Sequence, residues 1–121
     1  MNRKRILVVE DHPINVKLVM LLLQGTYEVR TAGDADEALR VLDGWPADLI
    51  LMDVQLPGMD GLELTRRLKA DPRTRGVVVV ALTAYAMKGD EDKALAAGCS
   101  GYITKPLDTK TFADTVARYL G

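Results

Sequence analysis

Cysteine is nearly absent from this sequence of 121 residues: Cys99 stands alone, which excludes an internal disulfide and is compatible with a reducing compartment. Long apolar runs are missing too. The longest, residues 18–23 and the equally long 77–82, fall far short of the roughly 20 residues a helix needs to span a bilayer. The start of the chain carries neither a secretion signal nor a lipidation motif, so a cytoplasmic protein with no membrane partner is expected. Charge of one sign does not dominate. Lys plus Arg number 16 and Asp plus Glu 17, leaving a net charge of −1, and no basic stripe extends beyond Arg3-Lys4-Arg5. Direct contact with nucleic acid is therefore not expected. What is present, 48% hydrophobic and 27% charged residues, suits one globular domain over residues 1–121 with a real core.

Short apolar segments alternate with helical patterns along the chain, the rhythm that specifies a parallel sheet covered by helices on both faces. The pattern predicts strands at about 5–10, 27–31, 48–52, 77–82 and 101–104. The first, third and fourth are almost wholly apolar, as strands buried on both faces must be. The second alternates with polar residues and the fifth is short, which suits sheet edges. The expected fold is a flavodoxin-like α/β domain: a doubly wound five-stranded parallel sheet in the order 2-1-3-4-5 with five helices. Pro13 suits a first helical turn, and Asp34 with Glu37 and Asp60 with Glu63 read as capping boxes. Asp108 is expected to cap the last helix, with Leu107 and Phe112 as its hydrophobic staple and Phe112, Val116 and Leu120 as its buried stripe. Gly44 and Gly98 fall where the second and fourth helices should stop in a left-handed conformation.

In such a sheet the C-terminal strand ends converge. Glu10 and Asp11 follow the first strand, Asp53 the third and Thr83 the fourth, while Lys105 precedes Pro106 after the fifth. A carboxylate held in line with an activated phosphoryl donor can attack it and form an acyl phosphate, and Asp53 is placed for that role. Like charges so close are costly unless a cation lies among them, and magnesium suits hard oxygen donors and phosphate. Expected ligands are Asp11, Asp53 and one backbone carbonyl, with Glu10 acting through water. Lys105 would pair with one phosphoryl oxygen and Thr83 would donate a hydrogen bond to another.

The acidic pair Glu10-Asp11, Asp53 within Leu-Met-Asp-Val-Gln-Leu-Pro-Gly-Met-Asp-Gly, Thr83 within Leu-Thr-Ala and the Lys105-Pro106 step together resemble the receiver domains of two-component response regulators, from end to end. The resemblance implies that Asp53 takes a phosphoryl group from a histidine kinase or histidine phosphotransfer protein. It also implies that Gln55 offers its backbone carbonyl to magnesium, that Ala84 leaves the phosphoryl site open, and that the Lys105–Pro106 bond is cis. Tyr102 stands where family members carry an aromatic switch residue responding to Thr83. The face formed by the fourth helix, fifth strand and last helix would then be read by a downstream protein target. Pro13, Ile14, Asn15 and Leu18 stand where the family docks its phosphoryl donors. The segment from Thr83 to Asp90 is similar to that of single-domain cell-cycle regulators of the DivK type and of receivers attached to hybrid kinases.

Other readings stand beside these. Tyr102 can be a half-buried edge tyrosine, and the first helix, apolar nearly all round, can simply pack under the last one. His12 reads as a capping or surface residue with no catalytic role, and Cys99 as a small buried one. A small flavodoxin-like or aspartyl-phosphate phosphatase-like enzyme is the alternative function. Against it, the position two residues after Asp53, where such phosphatases carry a second Asp, is Gln55, and no phosphate-cradling glycine loop follows the first strand. A monomer or a weak dimer is equally compatible with the sequence.

Overall fold

The structure, a computed structural model, describes residues 3–84 and 89–121, the side chain of Asp90 excepted. Five strands, β1 (Arg5–Val9), β2 (Glu28–Ala32), β3 (Leu49–Asp53), β4 (Val78–Thr83) and β5 (Gly101–Thr104), alternate with helices. These are α1 (Pro13–Leu23), α2 (Ala35–Gly44), α3 (Gly61–Ala70), α4 (Asp90–Ala97) and α5 (Phe112–Leu120). The strands form one parallel sheet in the order β2-β1-β3-β4-β5. All five residues of β3 are buried, and β2 at the edge alternates exposed Glu28 and Arg30 with half-buried Val29 and Thr31. The difference follows from position, since a central strand has helices over both faces and hydrogen-bonded neighbours on both sides.

Side-chain alternation along the strands divides the core in two. Leu7, Val9, Ile50, Met52, Val79 and Ala81 face one way and pack with Ala35, Ala38, Leu64, Leu68, Ala94 and Ala97, so α2, α3 and α4 share that layer. Ile6, Val8, Leu49, Leu51, Val80 and Leu82 face the other way, against Val19 and Leu23 of α1 and Phe112 and Val116 of α5. At the end of the sheet where β1 and β3 begin, the Trp45 ring is buried between two guanidinium groups. Arg5 and Arg30 lie 5.6 and 4.9 Å from its centroid.

The helix signals hold in part. Asp34 accepts from the Glu37 N–H at 2.8 Å, but the Glu37 carboxylate reaches the Gly33 N–H at 3.0 Å, one residue beyond the reciprocal box. Asp60 accepts from Leu62 and Glu63, whereas Glu63 turns outward to Arg66. Asp108 does not cap α5: it accepts from the Lys110 N–H at 2.9 Å within a preceding turn, and the helix starts at Phe112 behind Thr111. Leu107 still packs in the Phe112 cluster. Gly98 has φ 110° as expected, but Gly44 is the last residue of α2 without a positive φ, and the chain leaves the helix through an extended Trp45.

Candidate functional site

Parallel register brings the strand ends level. Val9 pairs with Met52, Asp53 with Leu82 and Thr83 with Thr104, so the residues that finish β1, β3, β4 and β5 meet along one rim. The Glu10 N–H is held by the Ala32 carbonyl at 2.9 Å, and the Lys105 N–H by the Thr83 carbonyl at 2.7 Å, which carries both residues just past their strands. Glu10, Asp53 and Thr83 are polar residues buried at this rim. Their solvation lost on folding has to be replaced by partners.

Lys105 provides the main replacement. Its ammonium donates to Glu10 Oε1 at 2.7 Å and lies 3.4 Å from Asp53 Oδ1, and its peptide bond to Pro106 is cis. Asp53 Oδ1 also accepts from the Gln55 N–H at 3.0 Å. Asp53 Oδ2 is buried, and no hydrogen-bond donor among the described residues meets it. Burial, then the neighbouring Glu10, raises the Asp53 pKa from 3.8 to about 6. Burial pushes Glu10 upward as well, but hydrogen bonding with Asp53 and the Lys105 ammonium overcome it and hold Glu10 down at about 2. The two carboxyls thus differ in proton affinity because Lys105 sits on one and only beside the other.

One ligand atom from each of Glu10, Asp11, His12 and Asp53 lies within 4.8 Å of the others. The three carboxylates among them are oxygen donors of the kind a hard divalent cation takes, and the Asp53 oxygen that meets no donor among the described residues fits one. The expected residues Glu10, Asp11, Asp53 and Lys105 are therefore gathered at one place, with buried Thr83 on the same rim and exposed Gln55 on the loop after β3. Tyr102 is half-buried against the α2, α3 and α4 layer. Pro13 and Ile14 are exposed at the start of α1, and Asn15 and Leu18 are half-buried. Tyr85, within the segment likened to DivK-type regulators, lies outside the described residues.

Two neighbours of the site carried no functional reading in the sequence. A Cβ on Gly61 would stand 2.1 Å from the Asp53 carbonyl oxygen, so a glycine there lets the start of α3 lie against the backbone that presents Asp53. In the sequence the Asp60-Gly61 pair reads as a helix start and as the end of the motif around Asp53, with no role given to the glycine. His12, beside the acidic pair, places Nδ1 3.3 Å from Asp11 Oδ1 and 3.5 Å from Glu10 Oε2. Its adjacency to Glu10-Asp11 was the available signal.

A buried carboxylate at the switch point of a 2-1-3-4-5 sheet, flanked by two acids and a lysine, defines a phosphoacceptor type of α/β domain. Residues 6–117 match the response regulator receiver domain, and the chain belongs to that family of two-component signalling proteins. It is 43% identical over 119 residues to the polar-differentiation response regulator DivK of Brucella anthropi, covering 98% of this chain and 97% of that one. It superposes with TM-score 0.88 and 35% identity on the receiver domain of a sensor histidine kinase from Pseudomonas aeruginosa, solved with magnesium coordinated in its active-site cleft. That match covers 98% of both chains. A third relative is the receiver domain of a response regulator from Saccharomyces cerevisiae, crystallised with a histidine phosphotransfer protein. It matches with TM-score 0.88 and 28% identity over 98% of this chain and 89% of that one. Among the described residues no helix is long and apolar enough to cross a membrane.

Proposed function

We propose that Asp53 is the phosphoacceptor of a cytoplasmic signalling switch and that residues 1–121 act as a single receiver domain. The observation that carries this reading is Asp53 Oδ2: a buried carboxylate oxygen that meets no donor among the described residues, on the rim beside a lysine and two further acids. In the proposed reaction an Asp53 oxygen attacks the phosphorus of a phosphohistidine on a histidine kinase or phosphotransfer protein. The P–O bond forms as the P–N bond breaks, the histidine regains a proton, and Asp53 becomes an acyl phosphate. Asp11, Asp53 and the Gln55 carbonyl would hold magnesium, with Glu10 acting through water, and the bound ion would neutralise charge developing on the phosphoryl oxygens.

The chain's own residues do the rest. Lys105, already 3.4 Å from Asp53, exchanges part of its pairing with Glu10 for a phosphoryl oxygen. Thr83 donates its hydroxyl to another oxygen, drawing in the end of β4, and Tyr102 on adjacent β5 follows. The face made by α4, β5 and α5 changes with it, and a downstream protein reads the change. Gln55 stands where a hydrolytic enzyme of this architecture would need an acid, which supports a signalling domain whose acyl phosphate is lost only by slow self-hydrolysis. Transfer from a phosphorylated histidine phosphotransfer protein tests the reading: label should move to the wild type, with magnesium present, and not to Asp53→Asn. Labelling of the variant at the wild-type rate would overturn it.

A further inference from the structure

The proposed function uses Glu10, Asp11 and Asp53 but leaves His12 idle, although its ring nitrogen is part of the same cluster. His12 is the residue before α1, with extended backbone at φ −82° and ψ 115°, and its side chain makes no cap hydrogen bond. It is directed instead at the acids. Nδ1 lies 3.3 Å from Asp11 Oδ1 and 3.5 Å from Glu10 Oε2. Four bonds of about 2.0–2.1 Å in tetrahedral array set their donors about 3.3–3.4 Å apart, whereas octahedral bonds of the same length set adjacent donors about 2.8–3.0 Å apart. The His12–Asp11 spacing falls in the tetrahedral range, the His12–Glu10 spacing is slightly longer, and all four donors lie within 4.8 Å of one another. Asp53 belongs to the same cluster, and its buried Oδ2 meets no donor among the described residues.

We infer that His12 is a nitrogen ligand that lets this acidic pocket also hold a zinc-class transition dication, through His12 Nδ1 and the carboxylates of Glu10, Asp11 and Asp53. The inference rests on the reading of the pocket as a divalent-cation site and adds to it a preference that oxygen donors alone would not give. Imidazole suits zinc, while magnesium is served by carboxylate, carbonyl and water. Lys105 leaves this arrangement open, because its hydrogen bond goes to Glu10 Oε1 and not to Oε2.

Calorimetric titration of the metal-free full chain with Zn2+ and with Mg2+ tests it, for wild type and His12→Asn, whose side chain is a favoured one at a helix N-cap. Circular dichroism shows that both are folded. The expected result is one Zn2+ per chain in the wild type, and a ratio of Zn2+ to Mg2+ affinity that falls at least about tenfold in His12→Asn. A ratio that changes less than twofold, or a wild type that takes up no Zn2+ at one per chain, would overturn the inference. Acetyl phosphate with Mg2+ is applied to the wild type in parallel. A gain of one phosphoryl group there, beside an unchanged ratio, rejects the role of His12 and leaves the receiver reading intact. No gain rejects the receiver reading by itself.

Discussion

At the scale of residues, Glu10 and Asp53 answer burial in opposite ways because Lys105 lies closer to one of them. The Asp53 pKa rises from 3.8 to about 6, so in the absence of divalent cations the folded state holds a proton there that the unfolded chain has released. The associated stability is complete below pH 3.8 and is lost as pH rises through about 6. Glu10, lowered from 4.5 to about 2, contributes stability above pH 4.5 that is lost as pH falls through about 2. Asp53→Asn removes the first of these titrations. Urea unfolding without divalent cations should find the variant more stable than wild type by about 3 kcal/mol at pH 7.5 and nearly equal at pH 4. A difference independent of pH would contradict the charge argument. Gly61→Ala should cost about 3 kcal/mol by the same measurement, since its Cβ would meet the Asp53 backbone and not a side chain that can yield. The carboxylates were legible in the sequence because a polar residue ending an apolar strand is conspicuous. Gly61 was not, because the close approach that requires it comes from residues eight positions away in a different element. Gly44 misled for the opposite reason: a glycine ending a helix permits a left-handed turn without requiring one.

At the scale of elements, strands were legible because burial on both faces leaves an apolar run, and their ends moved by a residue or so. β3 and β4 each include the final polar residue, Asp53 and Thr83, because neighbouring strands still offer hydrogen bonds there. The start of α5 was less legible. A turn and a helix begin with the same Asp chemistry, and Asp108 serves the turn. The apolar surface of α1 needed the structure to be resolved. Val19 and Leu23 are fully buried toward α5, so deep packing accounts for one side, while Ile14 is 81% and Leu21 72% exposed on the other. This exposed side supports docking of the phosphoryl donor beside Asp53. Ile14→Glu should slow transfer from a phosphotransfer protein at least about tenfold, a loss of about 1.4 kcal/mol in the encounter. Phosphorylation by acetyl phosphate should proceed at the wild-type rate. Equal slowing with both donors would show that Ile14 supports the fold and not the encounter.

At the scale of the whole molecule, topology makes the site. Strand order and parallel register bring Glu10 and Lys105, nearly the full chain apart, to a hydrogen bond of 2.7 Å, and no local segment contains that information. It was legible only through the alternation of strands and helices, which leaves few arrangements open. The proposed switch has to work through the same connections. Moving a conformational equilibrium from 1:99 to 99:1 takes about 5.5 kcal/mol of differential interaction, and a phosphoryl group can supply it with about two charges and three acceptor oxygens held by Lys105 and Thr83. All of this depends on acceptance of that group by Asp53. Intact mass after incubation with acetyl phosphate, with and without magnesium, measures it for wild type beside Asp53→Asn. A magnesium-dependent gain of one phosphoryl group in the wild type and none in the variant is the predicted result. No gain by folded wild type, or the same gain by the variant, would contradict the account.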